Sequence, residues 1–210
     1  MQKSFFIFLL FLTTFSYSQN EKGVVINGVT WATCNVDKPK TFATSYENAG
    51  KFYQWNRKKA WNTTELSVKS WKRNIYTQRD TTWQKKNDPC PKGWRVPTFD
   101  EIKTLLDSTN VIHKWVKQNG INGTKFIDKN TENSIFLPAI GFRHNSGVLQ
   151  FAGFGENTEG CYWSNGYRNS KYAHVFVHFY INDNRNIWHI VTWSAAGELN
   201  GGFSVRCVKE

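Results

Sequence analysis

The sequence of 210 residues predicts an α+β fold, in which one main helix in the middle of the chain is flanked by strands. Apolar residues recur at helical spacing after Thr98, and short β-prone runs separated by turn residues follow from Gly123 onward. A further run with strand character covers residues 24–31. Strands on both sides of a central helix favour α+β over an alternating parallel-sheet architecture. Hydrophobic residues make up 40% and charged residues 20%, which excludes wholesale disorder, collagen and coiled coil.

Residues 1–18 have the pattern of a secretory signal peptide. Lys3 precedes the apolar run 5–12, and Ser16 and Ser18 are small residues at positions −3 and −1 of a cleavage site. A membrane-spanning helix needs about 20 apolar residues, roughly twice the length of this run. We therefore expect cleavage after Ser18 and a mature chain of residues 19–210. This chain is expected to form a single domain without a transmembrane segment, secreted to the periplasm or the extracellular space.

Residues 51–86 form a basic insertion that is rich in tryptophan. It holds ten Lys and Arg residues and two acidic residues, so its net charge is +8, out of +10 for residues 19–210. Trp55, Trp61, Trp71 and Trp83 alternate with these charges, and aliphatic residues are few. This composition predicts irregular structure with short strands.

Two interpretations of the insertion are open. In the first, it binds a polyanion, because Lys and Arg attract anions over long range and flat aromatic faces stack on sugar rings. In the second, the indoles anchor a long loop to the core while the charges stay in water. An anionic glycan, a surface protein or a lipid headgroup suits an exported protein better than nucleic acid does. The candidate ligand-binding residues are Trp61, Trp71, Lys58, Lys59, Lys72 and Arg73.

The central helix is predicted to begin after a turn-rich segment, residues 87–98. Thr98 is a suitable N-cap, and Glu101 stands at the capping-box position. Apolar residues then repeat at helical spacing, and the same spacing continues past Asn110 until Asn119-Gly120. The apolar positions are Ile102, Leu105, Leu106, Val111, Ile112, Trp115 and Val116. The candidate strands after the helix are residues 125–128, 134–142, 161–164, 172–181, 186–193 and 203–208.

The expected export bears on the four cysteines, Cys34, Cys90, Cys161 and Cys207. In an oxidising compartment an even number of cysteines indicates disulfides, and four residues permit three pairings. A four-thiolate zinc site normally takes its ligands from closely spaced pairs, and no CxxC occurs here. The sequence therefore predicts disulfides rather than a metal site.

No complete catalytic or cofactor-binding motif is present. His174 and His178 would lie on one side of a strand, but a third zinc ligand cannot be located, so a polar strand face is preferred. Glu156 and Glu159 lie in a glycine-bracketed loop, where solvated carboxylates are commoner than catalytic pairs. Asp183 is the only carboxylate of its turn, too few for calcium. We expect no catalytic residue, no metal and no cofactor.

Six stretches along the chain carry a family resemblance: residues 28–36, 52–57, 88–98, 136–143, 162–164 and 202–208. They include Cys90-Pro91-Lys92-Gly93-Trp94 and Phe203-Ser204-Val205-Arg206-Cys207. In this order, they resemble the Fibrobacter succinogenes major paralogous domain family, found in exported proteins of Bacteroidetes. The resemblance implies a C-type-lectin-like fold of mixed sheets and one main helix, closed by N- and C-terminal strands that lie together.

The resemblance also implies the disulfide Cys90–Cys207, with Cys34–Cys161 as the second bridge. It places Trp55, Trp61 and Trp71 among residues that the family commonly has, which favours the anchoring interpretation of the indoles. The calcium-binding residues of sugar-binding lectins have no counterpart here, and neither do the catalytic cysteines of formylglycine-generating enzymes.

The sequence thus predicts a secreted or cell-surface recognition domain without catalytic activity. Its expected ligand is a glycan, a surface protein or a lipid headgroup, bound without the calcium residues of lectins. A structural subunit of an extracellular assembly is the alternative, and an enzyme with an unrecognised site is a weaker one.

Overall fold

The computed structural model describes residues 23–73, 81–151, 158–182 and 188–210, with the backbone alone at 179–182 and 188–196. The predicted signal peptide lies outside these residues. Strands hold 43% and helices 7% of the described chain. The strands are β1 (Val24–Ile26), β2 (Val29–Trp31), β3 (Phe52–Gln54), β4 (Ala60–Trp61), β5 (Trp94–Arg95), β6 (Val111–Gln118), β7 (Ile121–Asp128), β8 (Ser134–Pro138), β9 (Phe142–Arg143), β10 (Leu149–Gln150), β11 (Glu159–Tyr167), β12 (Tyr172–Asn182), β13 (Trp188–Glu198), β14 (Gly202–Phe203) and β15 (Val208–Lys209). The helices are α1 (Phe99–Leu106) and a 3-10 turn (Lys85–Asn87).

The strands form four sheets. Their orders are β1-β2-β15-β5, β10-β9-β14-β3-β4, β11-β12-β13 and β6-β7-β8. The first sheet joins the two ends of the described chain, because Val208 of β15 pairs with Trp31 of β2. The expected proximity of the N- and C-terminal strands is therefore present.

Helix α1 begins at the predicted capping box. The Thr98 side chain accepts a hydrogen bond from the Glu101 N–H at 3.1 Å, and the Glu101 carboxylate accepts one from the Thr98 N–H at 2.7 Å. Arg95 also donates to Glu101 through two nitrogens, at 2.6 and 2.8 Å. Ile102 and Leu105 are buried, so the helix packs by the face that its spacing predicts.

The predicted continuation of the helix is wrong. Residues 111–118 are strand β6, and Asn119 and Gly120 form the turn to β7 with positive φ angles of 46° and 86°. Such a turn joins two antiparallel strands with the twist that a hairpin requires. The β-branched residues Val111, Ile112 and Val116 pack better on a pleated sheet than in a helix.

The predicted α+β class, with its C-type-lectin-like mixed sheets, is therefore wrong. The chain is mostly β: four sheets contain its strands, and the described residues include a single α-helix of eight residues. The disulfide that was part of the same prediction is present.

Three clusters of buried side chains make up the core. The main cluster lies around Trp55, Trp163 and Phe203, and the second packs α1 against β7 and β12. The third is small and contains Trp61 and Trp71. Among the described residues, no helix is long and apolar enough to span a membrane.

Candidate functional site

The indoles of the basic insertion are buried. Trp61 and Trp71 are 6% and 9% exposed, and their rings pack against each other with centroids 4.8 Å apart. Trp55 and Trp83 pack in the main core at 6.1 Å. The four indoles thus anchor the insertion to the core, as the second interpretation of the sequence predicts. Ring faces that pack against protein are not open for stacking on a ligand.

The four candidate cations, by contrast, are exposed. Lys58 and Lys59 occupy the turn between β3 and β4, and Lys72 and Arg73 follow Trp71 directly. The Lys59 ammonium lies 4.0 Å from the centroid of the Trp61 ring, a cation–π distance. The aromatic and basic halves of the predicted site are therefore in contact, but only the basic half faces water.

Gln54, at the end of β3, connects the two basic pairs. Its side-chain amide donates to the Lys72 carbonyl at 2.7 Å and to the Asn200 carbonyl at 3.0 Å. The Asn200 amide in turn donates to the Arg73 carbonyl at 2.6 Å. These bonds fix the backbone of Lys72 and Arg73 against the end of β3, four residues before Lys58.

Asn56 adds a third basic segment that the sequence analysis did not assign to the site. This buried residue has a positive φ of 53°, and its side-chain oxygen accepts hydrogen bonds from the Gln84 N–H at 2.9 Å and the Asn87 amide at 3.2 Å. These bonds fix the 3-10 turn that carries Lys85 and Lys86. We name the exposed cations on these three linked segments the basic face; they are Arg57, Lys58, Lys59, Lys72, Arg73, Lys85 and Lys86.

A buried guanidinium, that of Arg143, holds the loop that follows β4. Arg143 is fully buried, and its nitrogens donate to the carbonyls of Asn62, Glu65 and Gly147 at 2.6 to 2.9 Å. Burial lowers the pKa of Arg143, while the Glu65 carboxylate opposes that shift. The loop after β4 therefore keeps a fixed backbone path.

A cleft of about 500 Å³ opens next to the basic face. Its wall includes Lys85, which belongs to both. The remaining side chains come from three separate parts of the chain, and the sequence analysis assigned none of them to a site. They are Lys40, Asp88, Lys92, Trp94 and Glu210.

A second, smaller pocket of about 250 Å³ contains Glu159 and Cys161. Glu159 is buried rather than solvated as predicted, and its carboxylate lies 3.7 Å from the Cys161 sulfur. Burial, reinforced by this carboxylate, raises the pKa of the Cys161 thiol well above its ordinary value. Cys161 is thus a protonated thiol and unsuited to nucleophilic chemistry. Glu156, the other predicted loop carboxylate, and Asp183 lie outside the described residues.

The family model described as Fibrobacter succinogenes major domain matches residues 17–209. The chain belongs to this family. A search of curated proteins and a search of solved structures returned no match. The resemblance seen in the sequence is thereby confirmed at the level of the family.

Several residues in the stretches that resemble the Fibrobacter succinogenes major domain are buried polar anchors. Arg206 is 1% exposed and donates to the Asn35 side chain at 2.9 Å and to the carbonyls of Ala32, Thr33 and Phe136 at 2.5 to 3.0 Å. Arg143, described above, also lies in one of these stretches. Both arginines hold loops in place, which explains their burial without assigning them to ligand binding.

The disulfide Cys90–Cys207 is present and confirms that part of the pairing implied by the family. It closes a separation of 117 residues and ties the segment before β5 to the segment before β15. The second implied bridge is absent, and Cys34 and Cys161 are both buried thiols. Cys161 lies in the main core with Trp163, and Arg206 holds the Cys34 segment through the carbonyls of Ala32 and Thr33.

The two histidines predicted to share a strand face have separate environments. His174 stacks on Phe99 with ring centroids 4.1 Å apart. His178 is fully buried, within 6.4 Å of the aromatic rings of Phe126 and Tyr162. Within the described part of the chain, no group of three or more His, Cys, Asp or Glu side chains is arranged to hold a metal ion.

Proposed function

We propose that this domain is an exported recognition domain without catalytic activity, and that its basic face binds an anionic glycan. The observation that supports this proposal is the arrangement of the basic face itself. Seven exposed cations lie on three segments that are joined by hydrogen bonds through Gln54, Asn56 and Asn200. Because the segments are anchored by buried indoles, few backbone degrees of freedom need to be ordered on binding.

The spread of the cations favours a polymer over a single small anion. Each exposed ammonium or guanidinium contributes modest, salt-screened attraction, and several contacts along one chain act together. A glycan with acidic groups at regular intervals supplies such contacts. The only large apolar side chain near this region that is strongly exposed is Leu66, at 74%, among the described residues. One exposed leucine gives little apolar area for insertion into a lipid surface.

The export half of the proposal rests on residues 1–18. Expression of the full chain with and without these residues, followed by cell fractionation, tests it directly. Release of the full chain to the periplasm or medium, with cleavage after Ser18 detected by intact mass, is the expected result. Retention of both forms in the cytoplasm would contradict export without bearing on glycan binding.

Glycan binding is tested on the purified exported chain. We expect binding to heparin and polygalacturonate but not to neutral dextran, with a loss of at least tenfold in affinity between about 20 and 200 mM salt. Replacement of Lys58, Lys59, Lys72 and Arg73 by Gln is expected to weaken binding to a similar extent.

The matched control replaces four exposed lysines elsewhere, Lys103, Lys114, Lys117 and Lys129, by Gln, which removes the same charge. If both quadruple variants lose affinity equally, net charge rather than the basic face is responsible. Binding to anionic lipid vesicles but to neither polysaccharide would favour a headgroup, and concentration-dependent oligomers without any ligand would favour an assembly subunit.

A further inference from the structure

The cleft beside the basic face is lined by lysines and by one tryptophan. Lys40, Lys85 and Lys92 are exposed on its rim, and Trp94 contributes the aromatic part of its wall. A fourth ammonium, that of Lys209, lies 5.0 Å from the centroid of the Trp94 ring. Three exposed lysines therefore line a concave volume large enough for a small ligand, and a fourth lysine lies over the indole of its wall.

The two carboxylates of the cleft cancel only part of this charge. Asp88 is buried, and its oxygens accept hydrogen bonds from the N–H groups of Cys90 at 2.8 Å and Val96 at 3.1 Å. Glu210 lies 3.6 Å from the Lys85 ammonium, but both side chains are well exposed, so this pair is weak. At the cleft, four ammonium groups therefore stand against two side-chain carboxylates.

Backbone hydrogen bonds join the segments that form the walls of the cleft. The Lys40 N–H donates to the Pro89 carbonyl at 2.7 Å, and the Glu210 N–H donates to the Gly93 carbonyl at 3.1 Å. Cys90, bonded to Cys207, lies directly before the Pro91–Gly93 turn. A site built on these contacts exists before a ligand arrives, which lowers the ordering cost of binding.

We propose that this cleft is a subsite that takes one acidic sugar unit of the anionic glycan, with its carboxylate or sulfate among Lys40, Lys92 and Lys209. This proposal rests on the proposed function, because the cleft adjoins the basic face at Lys85. Charge complementarity identifies the acidic group, and the volume of about 500 Å³ favours a sugar unit over a bare inorganic anion. The basic face then holds the following units of the same polymer.

Short oligosaccharides allow binding at the cleft to be measured apart from binding at the basic face, because they can fill one subsite but cannot span several segments. The probes are a galacturonate trimer for the carboxylate, a heparin-derived tetrasaccharide for the sulfate and maltotriose as a neutral control. Calorimetry on the exported chain is expected to show saturable binding of an acidic oligosaccharide and none of maltotriose. The preferred acidic probe distinguishes the two anionic groups.

Three double variants locate the site. The cleft variant Lys40→Gln with Lys92→Gln is expected to lower the affinity for the short acidic probe by about tenfold. The β6 variant Lys114→Gln with Lys117→Gln removes the same charge and is expected to leave the affinity for the probe unchanged. The basic-face variant Lys58→Gln with Lys59→Gln is expected to lower the affinity for long polymers more than the affinity for the short probe. All six side chains are exposed, so the fold should tolerate these substitutions.

Failure of this proposal can be told from failure of the proposed function. If polymers bind through Lys58 and Lys59 but the cleft variant binds the short probe as tightly as the β6 variant does, the cleft is not the subsite. If polymers bind and neither acidic oligosaccharide does, the subsite is likewise refuted. If no polymer binds, the proposed function itself fails. Equal binding of inorganic sulfate and the acidic oligosaccharides would overturn the role of the sugar ring.

Discussion

His178 of β12 lies with its Nδ1 atom 3.0 Å from the hydroxyl of Thr124 on β7, and this contact joins two of the four sheets. The other ring nitrogen, Nε2, is buried and has no hydrogen-bond partner among the described residues. It faces the backbone of Gly160, where a Cβ atom would lie only 2.2 Å away. The imidazole is therefore enclosed by protein atoms, and its neutral form is strongly favoured.

This enclosure predicts a specific loss of stability in acid. Burial, with a smaller contribution from the charge of Arg206, lowers the pKa of His178 from 6.5 to about 3. Because the unfolded chain binds the proton more readily, stability is complete above about pH 6.5 and falls as the pH drops toward 3. At pH 5 the expected loss from this group is about 2 kcal/mol.

Urea denaturation at pH 7.5 and pH 5 measures this loss, and His178→Gln should show a smaller difference between the two pH values. NMR of the imidazole provides a readout that does not require the variant to fold. A His178 ring that titrates near pH 6 in the native protein would contradict the prediction.

Trp61 and Trp71 are expected to affect stability rather than glycan affinity. The Trp71 Nε1–H donates to the carbonyls of Asn145 and Asn200, both at 3.1 Å, whereas Trp61 Nε1 has no partner in the described residues. Trp71→Phe should therefore cost about 2 to 3 kcal/mol and Trp61→Phe about 1 to 2 kcal/mol. Thermal or urea unfolding gives these values. A folded Trp61→Phe protein with much weaker glycan binding would instead show that the indole contacts the ligand.

Asn56 is expected to show an unusual order among substitutions. Asn56→Gly keeps the backbone freedom but loses the acceptor oxygen, and Asn56→Ala loses both. The predicted destabilisation is therefore larger for Ala than for Gly, reaching about 2 to 4 kcal/mol. Denaturant unfolding of the two variants tests this order. Similar values for Gly and Ala would mean that the backbone conformation contributes little.

The cysteines can be tested by alkylation and mass mapping. Without reductant, the unfolded chain should gain two alkyl groups, on Cys34 and Cys161, and peptides should show Cys90 joined to Cys207. The native chain should react slowly, because both thiols are buried and the pKa of Cys161 is raised. Replacement of Cys90 and Cys207 by Ala should cost about 4 kcal/mol, given the long loop. An unreduced, unfolded chain that resists alkylation would show a second disulfide.

Local signals in the sequence predicted some elements well. The capping box Thr98 and Glu101 marks the start of α1, and the strand-prone runs 125–128, 161–164 and 172–181 lie in strands. The predicted strand 203–208 is wrong, because only its two end residues belong to strands, β14 and β15. The error at residues 111–118 arose because Val111, Ile112, Trp115 and Val116 match helical spacing as well as a half-buried strand. Asn119-Gly120 is a hairpin signal as well as a helix stop, and only the pairing with β7 distinguishes these two roles.

The composition of the insertion predicted where the charge lies but not how it is arranged. Arg143 contacts carbonyls about 80 residues away in sequence, and Arg206 reaches back 171 residues to Asn35. The cleft likewise combines Lys40, Lys92 and Glu210, which no local pattern relates. Sites assembled from distant segments depend on chain topology, and neither periodicity nor motif spacing contains that information.

The contacts of Arg143 with the loop that it supports are to carbonyl oxygens and do not themselves depend on the loop side chains. Its guanidinium recognises main-chain oxygens at Asn62 and Glu65, and any residue other than proline presents the same oxygen in the same backbone geometry. An exposed position such as Leu66 can therefore be exchanged while these contacts are kept. The chemistry of the surface beside the basic face can thus change at such a position without any change in the contacts that hold the loop.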